Sequence, residues 1–227
     1  MLRQAIRSIS HQGFRVRAPY ARGVAEMKTS ASRNGSDVRG LRLSCQLLLV
    51  ACCLAAPVSA AEIEGVRFPE VHPSGDVRFA LNNVALLRYR VFFRGYVAGL
   101  YLGEGVGPES LFEDVPKRLE ISYFWGIPAH KFAEATINGI SANRSSQSVR
   151  ALQPAIEEFN ELYQDIEPGD RYALTYIPNR GTELARNGVS LGTVAGAEFA
   201  SALFSIWFGS EPFDVSLKQR LLSSRPG

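Results

Sequence analysis

Arg90-Val-Phe-Phe-Arg-Gly-Tyr-Val-Ala-Gly-Leu-Tyr-Leu102 is the stretch from which the rest of the chain is read. It is rich in β-branched and aromatic residues, the composition of a long, substantially buried strand. Gly95 and Gly99 inside it predict a bulge, or a place where something approaches the backbone closely. Working outward, Arg118-Leu-Glu-Ile-Ser-Tyr-Phe-Trp125 alternates apolar and polar residues and reads as a second strand. On the other side, Val77–Leu81 alternates in its first half and Asn82-Asn83 reads as a turn. Glu62–Pro69 reads as one short strand ended by proline.

Helices follow. Pro128 suits the first turn of a helix whose apolar side is Phe132, Ala133, Ile137 and Ile140, a thin stripe that Thr136 shares. Val149, Leu152, Ile156, Phe159, Tyr163 and Ile166 recur at three- and four-residue steps and predict a second helix. Within it, Pro154 marks a kink or a first turn. Next comes a meander of strands over Arg171–Ile177, Thr182–Arg186 and Val189–Val194, joined by Pro178–Gly181 and by Asn187-Gly188, a strong hairpin signal. Ala195–Phe208 reads as an apolar helix ended by Gly209, and Asp214 caps a last helix through Leu222. Strands at both ends with helices between and after them indicate an α+β fold, a mostly antiparallel sheet covered by helices on one face.

The charge of the 227-residue chain is divided. Nine of its 25 Lys/Arg but only two of its 22 Asp/Glu precede Glu62, so the formal +3 belongs to the leader and the remainder carries about −4. A mildly acidic domain is a poor match to nucleic acid, whose binding depends on Lys and Arg neutralising phosphates. Leu47–Ala56 is a ten-residue apolar run preceded by Arg39 and Arg42 and followed by Pro57 and Val58-Ser59-Ala60. That three-part pattern is a secretory signal peptide with cleavage before Ala61 or Glu62, and the run is about half of the ~20 residues a membrane-spanning helix needs. The expected organisation is therefore a leader over 1–61 and one domain over 62–227, delivered to the periplasm or another extracytoplasmic space. Leu49-Val-Ala-Cys52 also fits a lipobox, so a membrane connection would follow only from acylation of Cys52. All three cysteines (Cys45, Cys52, Cys53) lie in the leader, and the domain must be held by its core alone.

Most catalytic signatures are missing. His72 and His130, the histidines beyond the leader, have no carboxylates at ligand spacing, and neither a nucleophile elbow nor a Gly-rich phosphate loop is present. No metal or cofactor is expected. What stands out is Arg88, Arg90, Arg94 and Tyr96. In an unbroken strand they share one face, which would be an anion-binding wall if that face lines a cavity, or a solvated side if it does not.

Several motifs, taken in order, resemble the chalcone isomerase family. Arg94-Gly-Tyr-Val-Ala-Gly-Leu-Tyr-Leu102 is similar to its strand motif, and Leu119–Ile127 to the strand that follows. Phe159 with Pro168-Gly-Asp170, and Phe199 with Ile206-Trp-Phe-Gly209, Pro212 and Leu217-Lys218, resemble its later helices and loops. The exported bacterial branch fits best. The resemblance implies an open-faced β-sandwich, a large antiparallel sheet packed by helices with a ligand cleft between them. The family's catalytic arginine best matches Arg88, with Arg90 as its rival. At the positions of its two threonines stand Tyr96 and Ile206, and an isoleucine takes no part in hydrogen bonding. Tyr in the first position resembles the family's fatty-acid-binding members, in which Arg and Tyr hold a carboxylate.

Three functions are accordingly weighed. The first is a non-catalytic binder of a small lipophilic carboxylate anchored by Arg88 (or Arg90) and Tyr96, with Phe92, Phe93 and Trp207 as apolar walls. The second is an isomerase, an intramolecular lyase acting on a flavonoid-like or other enone. The third is a structural or interaction domain without ligand.

Overall fold

The computed structural model describes residues 60–89 and 93–225, so the expected signal peptide, Arg90 and Phe92 lie outside the described residues. The described part carries a seven-stranded antiparallel sheet whose strands lie side by side in chain order: β3 (Val71–Ser74), β4 (Val77–Tyr89), β5 (Phe93–Gly103), β6 (Lys117–Tyr123), β7 (Arg171–Ile177), β8 (Gly181–Arg186) and β9 (Val189–Val194). Ahead of them β1 (Ala60–Ile63) and β2 (Val66–Pro69) form a separate hairpin. Four helices complete the domain: α1 (Ala129–Asn143), α2 (Ser146–Glu161), α3 (Ala197–Phe208) and α4 (Val215–Leu222). The α+β class and the helix-covered antiparallel sheet expected from the sequence are what the structure has.

Side-chain alternation divides the sheet's two faces. From one face Ala98, Leu100, Leu119, Ile121, Leu174 and Leu184 meet Ile140, Ile156, Phe159, Leu203, Phe204 and Leu217, so all four helices share one core. From the other face Phe79, Leu81, Leu86, Val97 and Tyr101 meet Phe68 of the β1–β2 hairpin. β6 is buried along its whole length because both its faces are covered.

Local chemistry explains where the expected elements shift. Glu62–Pro69 is two strands and not one, because Glu64 and Gly65 both take positive φ (53° and 77°), the geometry of a tight hairpin turn. β4 runs through Asn82-Asn83, which form an irregularity in its register with β5 and not a turn. Their amides reach Leu221 O at 2.6 Å and Ser223 O at 3.0 Å, and Asn83 Oδ1 accepts from the Val84 N–H. These local and C-terminal partners replace the strand pairing that the site lacks. Pro128 is the residue just before α1, and on that helix Thr136 and Ile140 are buried while Ile137 is exposed. α2 accommodates Pro154 in its interior and ends before Tyr163. Asn187 and Gly188 turn with φ of 51° and 82° between β8 and β9, as their dipeptide predicts.

Candidate functional site

Everything about the site turns on Gly95. Leu87 pairs with Tyr96 and Arg88 pairs with Arg94, so Gly95 is an extra residue on β5. One extra residue reverses the alternation of side chains along a strand. Tyr96 therefore packs with Leu87, Ala98 and Leu100 toward the helices. Arg94 and Arg88 emerge on the opposite face, where both donate to Glu64, Arg94 Nη1 to Oε2 and Arg88 Nη2 to Oε1, each at 3.0 Å. This corrects the expectation of a common wall: the structure brings Arg88 and Arg94 together but sets Tyr96 across the sheet from them. The glycine that breaks the strand was legible as a bulge signal. Its consequence for the Arg face appears only once the bulge is counted into the register.

On the helix side Tyr96 belongs to an aromatic cage. Its ring meets Tyr123 edge-on at 5.7 Å, Tyr123 meets Phe132 at 5.4 Å, and Phe132 stacks on Tyr163 at 5.3 Å. Tyr172 closes the group, 5.2 Å from Phe132 and 5.8 Å from Tyr163. The hydroxyls are separately directed. Tyr163 shares a 2.9 Å hydrogen bond with Thr136 Oγ1, and Tyr172 donates to Gln164 O at 2.7 Å. Trp207 Nε1 donates to Tyr96 Oη at 3.2 Å. Because an indole N–H only donates, the Tyr96 proton stays available, and among the described residues no acceptor takes it. Burial raises the Tyr96 pKa, with the Trp207 hydrogen bond opposing and the Asp214 charge adding to the rise. The group is therefore a neutral donor at any ordinary pH. Tyr123 was overlooked as a site residue, although its place in an alternating strand two residues before Trp125 carried the signal.

Ile206 is buried behind this cage. It packs so closely on Gly139 that a Cβ there would fall 2.9 Å from the isoleucine side chain. The tight contact therefore leaves no room for a side chain at position 139, and Ile206 itself presents only hydrocarbon there.

The other side of Arg88 faces space. A pocket of about 470 Å³ lies along β4, lined by Ile63, Glu64, Val84, Ala85, Leu86, Arg88, Asp214, Ser216 and Arg220. Apolar side chains supply part of its wall, and the guanidinium groups of Arg88 and Arg220, the carboxylates of Glu64 and Asp214 and the Ser216 hydroxyl supply the rest, so a ligand there would meet both greasy contacts and guanidinium donors. Among the described residues no cluster of three His, Cys, Asp or Glu side chains is placed to hold a metal ion. No described helix is long and apolar enough to cross a membrane.

A family model described as chalcone isomerase-like matches residues 60–223. No curated protein matches the sequence significantly. Among solved structures, the chain is similar to the crystal structure of a fatty-acid binding protein from Arabidopsis thaliana, with a TM-score of 0.56 and 16% sequence identity over 72% of this chain and 96% of that one. At that identity the likeness speaks for the fold alone.

Proposed function

Because the chain belongs to the chalcone isomerase-like family, we propose that it is a non-catalytic binder of a small lipophilic carboxylate such as a fatty acid. The observation that carries this reading is the position of Arg88 on the wall of a pocket of about 470 Å³ whose other faces include Ile63, Val84, Ala85 and Leu86. A guanidinium beside a partly apolar hollow of that size, within the roughly 300–1,000 Å³ range of ligand pockets, suits a carboxylate with a hydrocarbon tail. The fold shared with a fatty-acid binding protein supports the same reading. Tyr96 has a separate part in it, as a neutral donor on the helix side that would receive an oxygen of a ligand reaching the aromatic cage. Ile206 argues against the isomerase reading, since it offers no hydrogen bond to an enone carbonyl.

Fatty acid added at a hundred times its Kd should stabilise the purified protein by about 2.7 kcal/mol, a rise of roughly 5–10 °C in Tm for a chain of this size. Arg88→Ala should remove that rise. An equal rise in the variant would count against Arg88, and no rise in the parent protein would count against the binder. Turnover of a chalcone that disappears in Tyr96→Phe would instead establish the enzyme.

The protein is exported in this proposal, its leader removed before Ala61 or Glu62. Support comes from the apolar run Leu47–Ala56 and the small residues Val58-Ser59-Ala60. Intact-mass measurement of the protein recovered from its own cells tests it: a chain beginning at Ala61 or Glu62 is the expected product. A chain retaining the leader would refute export by this route, and a lipid-modified Cys52 would place the cleavage there.

A further inference from the structure

The free edge of β4 carries more than Arg88. β3 pairs with β4 only over Val77–Ala80, so from Asn82 onward the outward edge of β4 has no strand partner among the described residues. Its polar groups are met by side chains instead: the Val84 N–H donates to Asn83 Oδ1 at 2.8 Å, and Leu86 O accepts from Arg220 Nη2 at 2.9 Å. The pocket lies along this edge, between the β1–β2 turn on one side and the start of α4 on the other. Its two guanidinium groups thus come from different layers, Arg88 from the hairpin side of the sheet and Arg220 from the helix side.

We propose that Arg220 is a second head-group residue, and that Arg88 and Arg220 together clamp the carboxylate of a lipophilic monoanion at the open edge of β4. The inference rests on the binder reading above and names the part of that site which the helix layer contributes. Each guanidinium has several N–H donors and spends one on a partner named here, Arg88 on Glu64 and Arg220 on Leu86 O. Donors on both therefore remain for a ligand. Glu64 is shared by Arg88 and Arg94, while Asp214 uses Oδ1 to accept from the Leu217 N–H as the cap of α4. The lining thus balances two guanidinium groups against two carboxylates, and since both carboxylates already accept hydrogen bonds, the guanidinium donors left over suit one incoming carboxylate. Arg220 is held in place because Leu217 and Leu221 on the same helix are fully buried. Ser216 adds a hydroxyl to the wall, and Ile63, Val84, Ala85 and Leu86 give the hydrocarbon tail its contacts.

Calorimetric titration of the full-length protein with dodecanoate, and separately with dodecanol, tests the clamp. Arg220→Gln should weaken dodecanoate by about tenfold or more, as loss of a charge-assisted pair does, while leaving dodecanol unchanged. Arg220→Lys, which keeps the charge and the stem, should fall between, and it guards against loss of fold in the glutamine variant. The double variant Arg88→Gln/Arg220→Gln should lose less than the sum of the two singles, because both groups hold the same carboxylate. Dodecanoate affinity unchanged in both Arg220 variants overturns the clamp and leaves the binder reading standing. Failure of the parent protein to bind dodecanoate overturns the binder reading, and the clamp with it.

Discussion

Lys117 holds a positive charge where there is almost no water, 1% exposed beneath the sheet–helix layer. Its Nζ donates to the carbonyl oxygens of Leu111 and Glu113, each at 2.7 Å, and lies 5.1 Å from the centre of the Tyr176 ring. Desolvation lowers its pKa from 10.5 to about 8, against the opposing pull of Asp114 and Glu113. Between about pH 8 and 10.5 the unfolded chain then binds more protons than the folded one, so stability should rise with pH across that window; below it both states are charged and the penalty is constant. Between about pH 7.5 and 9.5 the denaturant midpoint of the parent protein should rise relative to that of Lys117→Met. The same pH response in parent and variant would refute the assignment. The buried tyrosines act in the opposite sense: burial raises the pKa of Tyr96, Tyr101 and Tyr163 in the folded chain while they ionise near 10 in the unfolded one, so they take stability away as pH approaches 10, equally in parent and variant. Of the site residues, Arg88 and Tyr96 were legible from the sequence as the polar groups of an otherwise apolar segment. Their shared direction was not, since alternation holds only along an unbroken strand and Gly95 breaks this one.

Between β2 and β5 the sequence had marked a second glycine, and here the close approach it promised is real. Phe68 packs directly against Gly99, where a Cβ would come within 2.6 Å of its ring. Gly99→Ala forces the fully buried Phe68 outward, and overpacking of this kind costs roughly 1–3 kcal/mol. The loss should be read by chemical denaturation, and Gly99→Ala combined with Phe68→Leu should recover part of it. A single variant as stable as the parent would show that the hairpin does not pack as described. Long, strongly patterned elements such as α2, α3 and the β7–β9 meander were legible because one periodicity dominated each. The shorter ones were not. β3, with a proline at its centre, offers almost no strand signal. Asn82-Asn83 reads as a turn because their partners, the carbonyls of Leu221 and Ser223, come from the far end of the chain.

At the scale of the whole domain, each sheet face has its own kind of interior. The helix side is greasy and aromatic. The hairpin side includes a charged row in which Arg118 donates to Glu120 at 3.0 Å and to Thr175 at 2.6 Å, and Arg171 donates to Glu120 at 2.6 Å and to Arg67 O at 3.0 Å. With side chains only 8% and 10% exposed, Arg118 and Glu120 form an ion pair whose desolvation offsets much of its attraction. The class of the fold was legible in the order of strands and helices. The pocket was not, because Arg220 meets β4 across 134 residues of chain and no local pattern encodes that meeting. The sheet is threaded in the order in which it is made, every strand from β3 to β9 beside its predecessor. Yet Asn82 and Asn83 wait for Leu221 and Ser223, and Glu70 waits for Arg225. A ribosome must deliver the codons through Arg225 before these early strands acquire their partners, and a nascent chain stalled short of α4 keeps that seam unzipped.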